Sequence, residues 1–340
     1  MHRANFLYAR IAERSNLELA FWKAIRGKRG RADVQRFTAN LDLELGKIAD
    51  GFTNGSLTFG NYHYFTINDP KTRLICATSF HERVAHHAIM NVLEPTFEAR
   101  YIHDSFACRK NRGTHGAVLK ALAHSRYWSW YLKLDVRKYF DSISHEILLA
   151  KLQRVFKEPA VIQLFKKLLD SYEVDPGRGL PIGNLTSQHF ANFYLSFLDT
   201  WICQELKPRG YVRYMDDFVL WGESETQVRV WGERVEAWAA RNLELTLKPA
   251  EIGASEIGVA FLGFLVKPKG IYLTHRTTRR TNRKFRLLRE KIRISGPSTK
   301  DIESRVLPVC AHLSLARSRF VRNTLLQASG LRLEPGESGR

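Results

Sequence analysis

The chain has 340 residues, enough to bury a substantial core, and its hydrophobic content of 44% is that of an ordinary globular protein. Its charge is not ordinary: 53 Lys and Arg against 34 Asp and Glu leave +19 at pH 7, a field that favours a polyanion, nucleic acid before an anionic membrane. No apolar run approaches 18 residues, no signal peptide opens the chain, and the four cysteines (Cys76, Cys108, Cys203, Cys310) contain no C-x-x-C pair; a soluble cytoplasmic protein without disulfides or structural zinc is expected.

Residues 1 to about 56 read as helical and basic. Leu17, Leu19, Ala20, Ala24 and Ile25 give an amphipathic period, and Leu41, Leu45, Ile48 and Phe52 continue it after the basic run 27–31, a solvated loop or else a template contact. Asn61 to Ile67 alternates as a strand, Asn68-Asp69-Pro70 turns, and Lys71-Thr72-Arg73-Leu74-Ile75 returns. His81 to His87 has the composition of a zinc-protease helix, but the second His falls five residues on rather than four, off the required face. Ser105 to His115 mixes basic residues, an aromatic and a glycine, which suits a loop approached by a sugar-phosphate backbone, or a helix capped at Thr114.

Tyr131 to Asp141 reads as a strand reaching Asp135, with Asp141 expected to cap a helix that begins near Ser144. Helical sequence from His145 to Tyr172 leads to a loop at 175–179. Ser187 and Gln188 then begin a helix whose Phe190, Ala191, Phe193, Tyr194 and Phe197 form a packing face. In Gly210 to Trp221, two aromatic and β-branched runs flank Asp216-Asp217, a strand, a tight turn and a returning strand. Adjacent carboxylates stay ionised cheaply only when exposed or set against a cation. Alone, the pair reads as a solvated turn. With the Asp135 strand alongside, three carboxylates become hard oxygen ligands suited to two Mg²⁺ ions held about 4 Å apart.

Thr226 to Asn242 reads as an amphipathic helix, followed by a strand from Leu243 to Leu247 that ends at Lys248. Val259 to Leu265 is a hairpin in which Gly263 permits close backbone approach. From Arg276 to Arg293, nine of eighteen residues are basic, interleaved with Phe285, Leu287, Leu288 and Ile292; such a helix can lay its charge along a duplex. The stretch 333–339 is expected to be a flexible tail.

Tyr214-Met215-Asp216-Asp217, with Asp135 upstream, resembles the catalytic signature of reverse transcriptases. Gly179-Leu180-Pro181-Ile182-Gly183-Asn184-Leu185-Thr186-Ser187-Gln188 resembles the form of that segment found in diversity-generating retroelements, and the likeness runs from about Asn5 to about Asn323. The resemblance implies an α+β right-hand polymerase: fingers over 1–130 with strands joining the palm near 61–75, palm over 131–148 and 179–274, a helical insertion at 149–178, a thumb at 275–328 and a tail at 329–340. It implies catalysis by Asp135, Asp216, Asp217 and Lys248, the last as a proton donor to pyrophosphate or simply an exposed strand end. Metal ligation falls to Asp135, Val136, Asp216 and Asp217, with Mn²⁺ as a substitute for Mg²⁺.

The same resemblance gives the deoxynucleoside triphosphate to Lys71, Arg73, Phe140, Ile182 and Gln188. Phe140 would exclude a 2′-hydroxyl, unless it is a core residue. Ile182, where many relatives carry glutamine, would loosen control of the nascent pair and lower fidelity. Template and primer fall to Arg109, Arg112, His115, Tyr214, Met215, Phe261, Leu262, Gly263, Arg279, Arg280, Arg283 and Lys284. The implied partners are template RNA, the RNA/DNA duplex and a small basic helical-bundle accessory protein; no ribonuclease H or endonuclease domain is expected. Two other readings stay open: a stand-alone reverse transcriptase of phage defence, and a silent RNA-binding protein on the same fold.

Overall fold

The computed structural model of the chain describes residues 6–68, 72–296 and 307–316. Lys71, the turn residues 69 and 70 and the expected tail lie outside them, as does the Ile292 side chain. In chain order the helices α1 (Leu7–Ala12), α2 (Arg14–Ala24), α3 (Ala32–Ala39) and α4 (Leu41–Thr53) lead to the hairpin β1 (Tyr62–Asn68) and β2 (Thr72–Thr78). There follow α5 (Phe80–Glu98), α6 (Thr114–Tyr127), β3 (Trp130–Asp135), α7 (Tyr139–Ser142), α8 (His145–Val155), α9 (Pro159–Asp170) and α10 (Leu185–Trp201), which runs into a π-helical turn at Ile202–Leu206. The chain continues through β4 (Gly210–Tyr214), β5 (Asp217–Gly222), α11 (Glu225–Leu243), β6 (Glu251–Ala254), β7 (Val259–Phe261), β8 (Phe264–Lys267), β9 (Gly270–Leu273), α12 (His275–Ser295) and α13 (Leu307–Leu313).

These elements form two compact units. The first holds the described residues up to His103, Asp135–Lys207 and Glu233–Lys248. Helices dominate it, and its core gathers around Phe97 of α5, whose ring lies 5.2–6.3 Å from those of Phe156, Phe165, His189, Phe190 and Phe193. All six are buried. Truncating such an aromatic costs about 3–5 kcal/mol. At the start of α5, Ser79 accepts a hydrogen bond from the Glu82 N–H at 3.2 Å, the first half of a capping box. Glu82, instead of turning back to Ser79, accepts from the Gly60 N–H at 3.1 Å and meets His86 Nε2 at 3.3 Å; His86 Nδ1 lies 2.9 Å from Thr186 Oγ1. The His81–His87 stretch thus contributes a buried polar link between the base of the β1–β2 hairpin, α5 and α10.

The second unit holds Asp104–Leu134, Pro208–Gly232 and the described residues from Pro249 on. Its four-stranded sheet has the order β4-β5-β3-β6, and β7-β8-β9 form a separate three-stranded sheet. Tyr131, Val212, Val219 and Trp221 from the first sheet and Phe261, Phe264 and Val266 from the second pack with Ala117, Val118 and Ala121 of α6 in one core. A smaller cluster joins Phe285 and Leu288 of α12 to Leu313 of α13, so the basic helix is anchored by the apolar stripe expected of it. The edge of β4 is covered by residues 104–106: Arg213 N–H donates to the Asp104 carbonyl and Phe106 N–H to the Arg213 carbonyl, both at 2.9 Å.

Several local expectations are corrected. Tyr214 pairs with Asp217 in the β4–β5 ladder, so the tight turn is Met215-Asp216, and Asp217 already belongs to the returning strand. The helix after Ile143 is capped by Ser144, whose side chain accepts from the Ile147 N–H, while Asp141 sits inside the short α7. The helix start read at Thr114 is met, since Thr114 opens α6 with Gly113 in the cap position. The strand expected from Leu243 shrinks to a single bridge, Val136 with Leu247, because Leu243 is still the last residue of α11.

Candidate active site

In the first unit, the chain past Asp135 is held against the segment ending at Lys248. Lys248 N–H donates to the Asp135 carbonyl at 2.8 Å and Arg137 N–H to the Thr246 carbonyl at 2.9 Å. Val136 and Leu247 face each other between those two bonds as a non-hydrogen-bonded pair, which turns the Val136 carbonyl away from Leu247. The side chains close the same contact, since the Lys248 ammonium is ion-paired with the Asp135 carboxylate. The two are 38% and 30% exposed, within reach of solvent and of a competing cation. Sequence reasoning had Lys248 as a proton donor or an idle strand end; its pairing with Asp135 was not foreseen, because no local pattern brings together residues so far apart.

Three other expected residues belong to one construction in the same unit. The loop 179–182 lies between α7 and β2: Leu180 N–H donates to the Phe140 carbonyl, and Cys76 N–H of β2 donates to the Ile182 carbonyl, both at 2.8 Å. Gly183, at φ +126°, lets this loop approach, since a Cβ there would stand 3.0 Å from the Ile75 side chain and 3.1 Å from the Cys76 carbonyl. Phe140 is half-buried rather than a core residue, and Ile182 is half-buried beside it in the chain of contacts. Arg73 is exposed near the start of β2, three residues before Cys76. Gln188 lies in the first turn of α10, its N–H donating to the Asn184 carbonyl at 3.4 Å.

The second unit carries the acidic pair. Tyr214, Met215, Asp216 and Asp217 are half-buried at the β4–β5 turn, with Met215 at φ 56°. Arg213, fully buried in β4, donates from Nη1 to the Met215 carbonyl at 2.9 Å. This residue escaped the sequence reading; an arginine, even between Val212 and Tyr214, signals exposure, not burial. The β7–β8 hairpin turns at Leu262 (φ 51°) and Gly263 (φ 87°) after the buried Phe261, and the hydroxyls of Thr274 and Thr277 donate to the Gly263 carbonyl at 3.2 and 2.7 Å. Arg109 is turned back on its own loop, Nη1 donating to the Ser105 carbonyl at 2.7 Å. The Arg112 guanidinium lies 5.5 Å from the centre of the Phe106 ring. His115 is exposed, 6.1 Å from the ring of His312. On α12, Arg279, Arg280, Arg283 and Lys284 are all exposed.

Among the described residues, no helix is long and apolar enough to cross a membrane. Residues 67–266 match the family model described as "Reverse transcriptase (RNA-dependent DNA polymerase)". The chain is 23% identical over 205 residues to the putative COX1/OXI3 intron 1 protein of Saccharomyces cerevisiae, covering 56% of this chain and 25% of that one. It is 25% identical over 143 residues to the group II intron-encoded protein LtrA of Lactococcus lactis, covering 40% and 24%. With Protein YkfC of Escherichia coli the identity is 22% over 264 residues, covering 65% and 67%. The chain therefore spans about a quarter of the first two relatives and two thirds of the third. Among solved structures it is similar to the apo telomerase of Candida Tropicalis, with a TM-score of 0.50 at 11% identity over 80% of this chain and 62% of that one, a likeness in fold. The fold is thus α+β and of the right-hand polymerase kind, and with the family model matching more than half its length, the chain belongs to the reverse transcriptases.

Proposed function

We propose that the chain is an RNA-directed DNA polymerase whose nucleotidyl transfer depends on Asp135, Asp216 and Asp217. The observation that carries this reading is the match of residues 67–266 to the reverse transcriptase family model, a span that contains all three aspartates. Among the described residues no three His, Cys, Asp or Glu side chains form a ready metal cage. Mg²⁺ is held by one or two carboxylates and completes its shell with waters and substrate phosphates, so the reading asks for no preformed cage. The donors are hard oxygens, and Asp135 already accepts a cation in the form of Lys248. Asp135, Asp216, Asp217 and the Val136 carbonyl would hold the ions, Mg²⁺ or Mn²⁺. When bound, a pair of such ions lowers the pKa of a primer 3′-hydroxyl and neutralises the leaving pyrophosphate.

The remaining roles follow the same reading. Arg73, with Lys71, grips the triphosphate through its planar fork. Phe140 lies under the sugar and excludes a 2′-hydroxyl, so the product is DNA. Ile182 offers the nascent pair no hydrogen bond and lowers fidelity, with Gln188 behind it. Lys248, the ion-pair partner of Asp135, would act as the proton donor to pyrophosphate. Arg109, Arg112 and His115 serve the template, Tyr214, Met215, Phe261, Leu262 and Gly263 the primer end, and Arg279, Arg280, Arg283 and Lys284 the duplex. Fingers, palm and thumb follow the boundaries given above. The setting proposed is a cytoplasmic diversity-generating retroelement, with a structured RNA of the element as template and a small basic accessory protein.

A second reading is favoured by the two relatives named as an intron 1 protein and a group II intron-encoded protein: the same chemistry in an intron-type enzyme with ordinary fidelity. Primer extension on RNA with Mg²⁺ and each deoxynucleotide supplied separately decides. Extension by wild type, reduced at least about a thousandfold in Asp216→Ala, is expected. Misincorporation opposite template adenine supports the mutagenic setting, and accurate copying there moves the assignment to the intron type or to phage defence. A wild type inert on every template overturns the polymerase reading in favour of a silent RNA-binding protein.

A further inference from the structure

The β4–β5 turn has a difficulty that its own residues do not resolve. A two-residue hairpin loop with positive φ at its first central position normally places glycine there, and this one places Met215 at φ 56°. The second central residue is Asp216, whose carboxylate the polymerase reading commits to a cation. Met215 does not favour this turn, and a turn free to sample several conformations would scatter the two carboxylates.

Arg213 supplies the missing constraint. It is fully buried in β4, although a guanidinium is costly to bury unless its donors are used. Its backbone is fixed on both sides, N–H to the Asp104 carbonyl and carbonyl from the Phe106 N–H, so its side chain starts from a rigid base. From there Nη1 donates at 2.9 Å to the carbonyl of Met215, the residue in the unfavourable conformation. The charge is felt by the adjoining loop too: burial pushes the Cys108 thiol up to about 11, with Arg213 pulling the other way.

We propose that Arg213 is a positioning residue for the catalytic hairpin, its buried guanidinium holding the Met215 carbonyl so that the turn presents Asp216 and Asp217 together to the metal pair. The inference rests on the polymerase reading above. Arg213 touches neither substrate nor reacting atoms; it acts through the turn.

The test is Mn²⁺ affinity, read by the loss of the free-ion electron paramagnetic resonance signal, on wild type, Arg213→Met and Arg213→Lys, with melting temperatures recorded in parallel. Loss of one charge-assisted hydrogen bond to the turn should weaken Mn²⁺ binding about tenfold or more in Arg213→Met. Arg213→Lys, which keeps a charged donor, should stay within about threefold of wild type. The half-saturating Mg²⁺ concentration for primer extension should move in the same proportion, while the primer–template Kd stays constant. A purely structural role would lower the melting temperature of both variants and leave the Mn²⁺ affinity of the folded fraction alone; that result, or equal affinities for Met and Lys, overturns the proposal. Should Arg213→Met fail to fold, Arg213→Leu, which likewise has no donor, takes its place, and wild-type affinity there overturns it equally. A wild type that binds no Mn²⁺ removes the polymerase reading first and this inference with it.

Discussion

Two hairpins of the second unit turn in two residues each and meet the same steric demand in different ways. At β7–β8, Leu262 and Gly263 both take positive φ, and the second place is filled by the one residue that adopts it freely. Its carbonyl is held by the Thr274 and Thr277 hydroxyls at the start of α12. At β4–β5 no glycine is present, Met215 takes the positive φ, and the carbonyl is held by a buried arginine from within the strand. A turn that only needs shape can use glycine. A turn that must end in two carboxylates has no place for one at Asp216 or Asp217, and its conformation is fixed from a neighbouring side chain instead. Backbone strain maintained by its surroundings is a mark of functional sites, and here it lies at the acidic pair.

The largest expected effect separates the two hairpins outright. Asp217→Ala removes a carboxylate proposed to hold metal from the β4–β5 ladder and should lower kcat for primer extension at least about a thousandfold, with melting temperature and primer–template Kd near wild type. An activity loss under about tenfold would remove Asp217 from the metal set. Next comes the cation on Asp135. Lys248→Gln should lower kcat about a hundredfold if the ammonium protonates pyrophosphate. It should also reduce the Mg²⁺ needed for half-maximal rate by up to about fivefold, because a half-exposed ion pair worth about 1 kcal/mol or less no longer competes for Asp135. A raised Mg²⁺ requirement would show that Lys248 organises the carboxylate rather than competing for it. Smaller still is Gly263→Ala. At φ +87°, with the new Cβ 3.1 Å from Thr277 Oγ1, it should cost about 1–2 kcal/mol locally and weaken primer–template binding about tenfold, with kcat at saturation unchanged.

How much of this was legible beforehand differs between the same two regions. The β7–β8 hairpin and the basic helix after it are written in local signals: a glycine at the turn, alternation, and an apolar stripe through the arginines that ends on Leu313. The β4–β5 hairpin was legible as a motif, but its turn was placed one residue late, because an acidic dipeptide reads as a turn and a strand can equally begin on an aspartate. The cap of α8 was given to Asp141 instead of Ser144, since either residue type caps and only the intervening short helix decides. What stayed hidden were contacts made at long range. The Lys248–Asp135 pair, the Glu82–His86–Thr186 link and the covering of β4 by residues 104–106 depend on which strands and helices meet, and no spacing along the chain encodes that.

Each hairpin also rests on a histidine, and the final comparison uses that. The His312 ring lies tilted against that of Phe264 of β8, their centres 4.5 Å apart. His124 lies behind β4–β5, 5.3 Å from the ring of Trp221 and so close to Gly210 that a Cβ there would come within 2.5 Å of it. Burial, helped by Lys120 and opposed by Asp104, lowers the pKa of His124 to about 4 from an ordinary value near 6.5. Above pH 6.5 the residue is neutral in folded and unfolded chain alike and contributes no pH dependence. Between 6.5 and 4 the unfolded chain binds the proton first, so stability falls with falling pH, by at most about 3 kcal/mol at the lower end. His124→Gln should leave primer extension at pH 7.5 unchanged and flatten the fall in melting temperature between pH 6.5 and 4. His87 and His189 of the first unit, also lowered to about 4, keep their own share of the slope in both proteins, so the difference between variant and wild type isolates His124. An unchanged slope in the variant would mean that His124 is protonated in place, and that the support behind the β4–β5 hairpin carries a charge at mildly acidic pH.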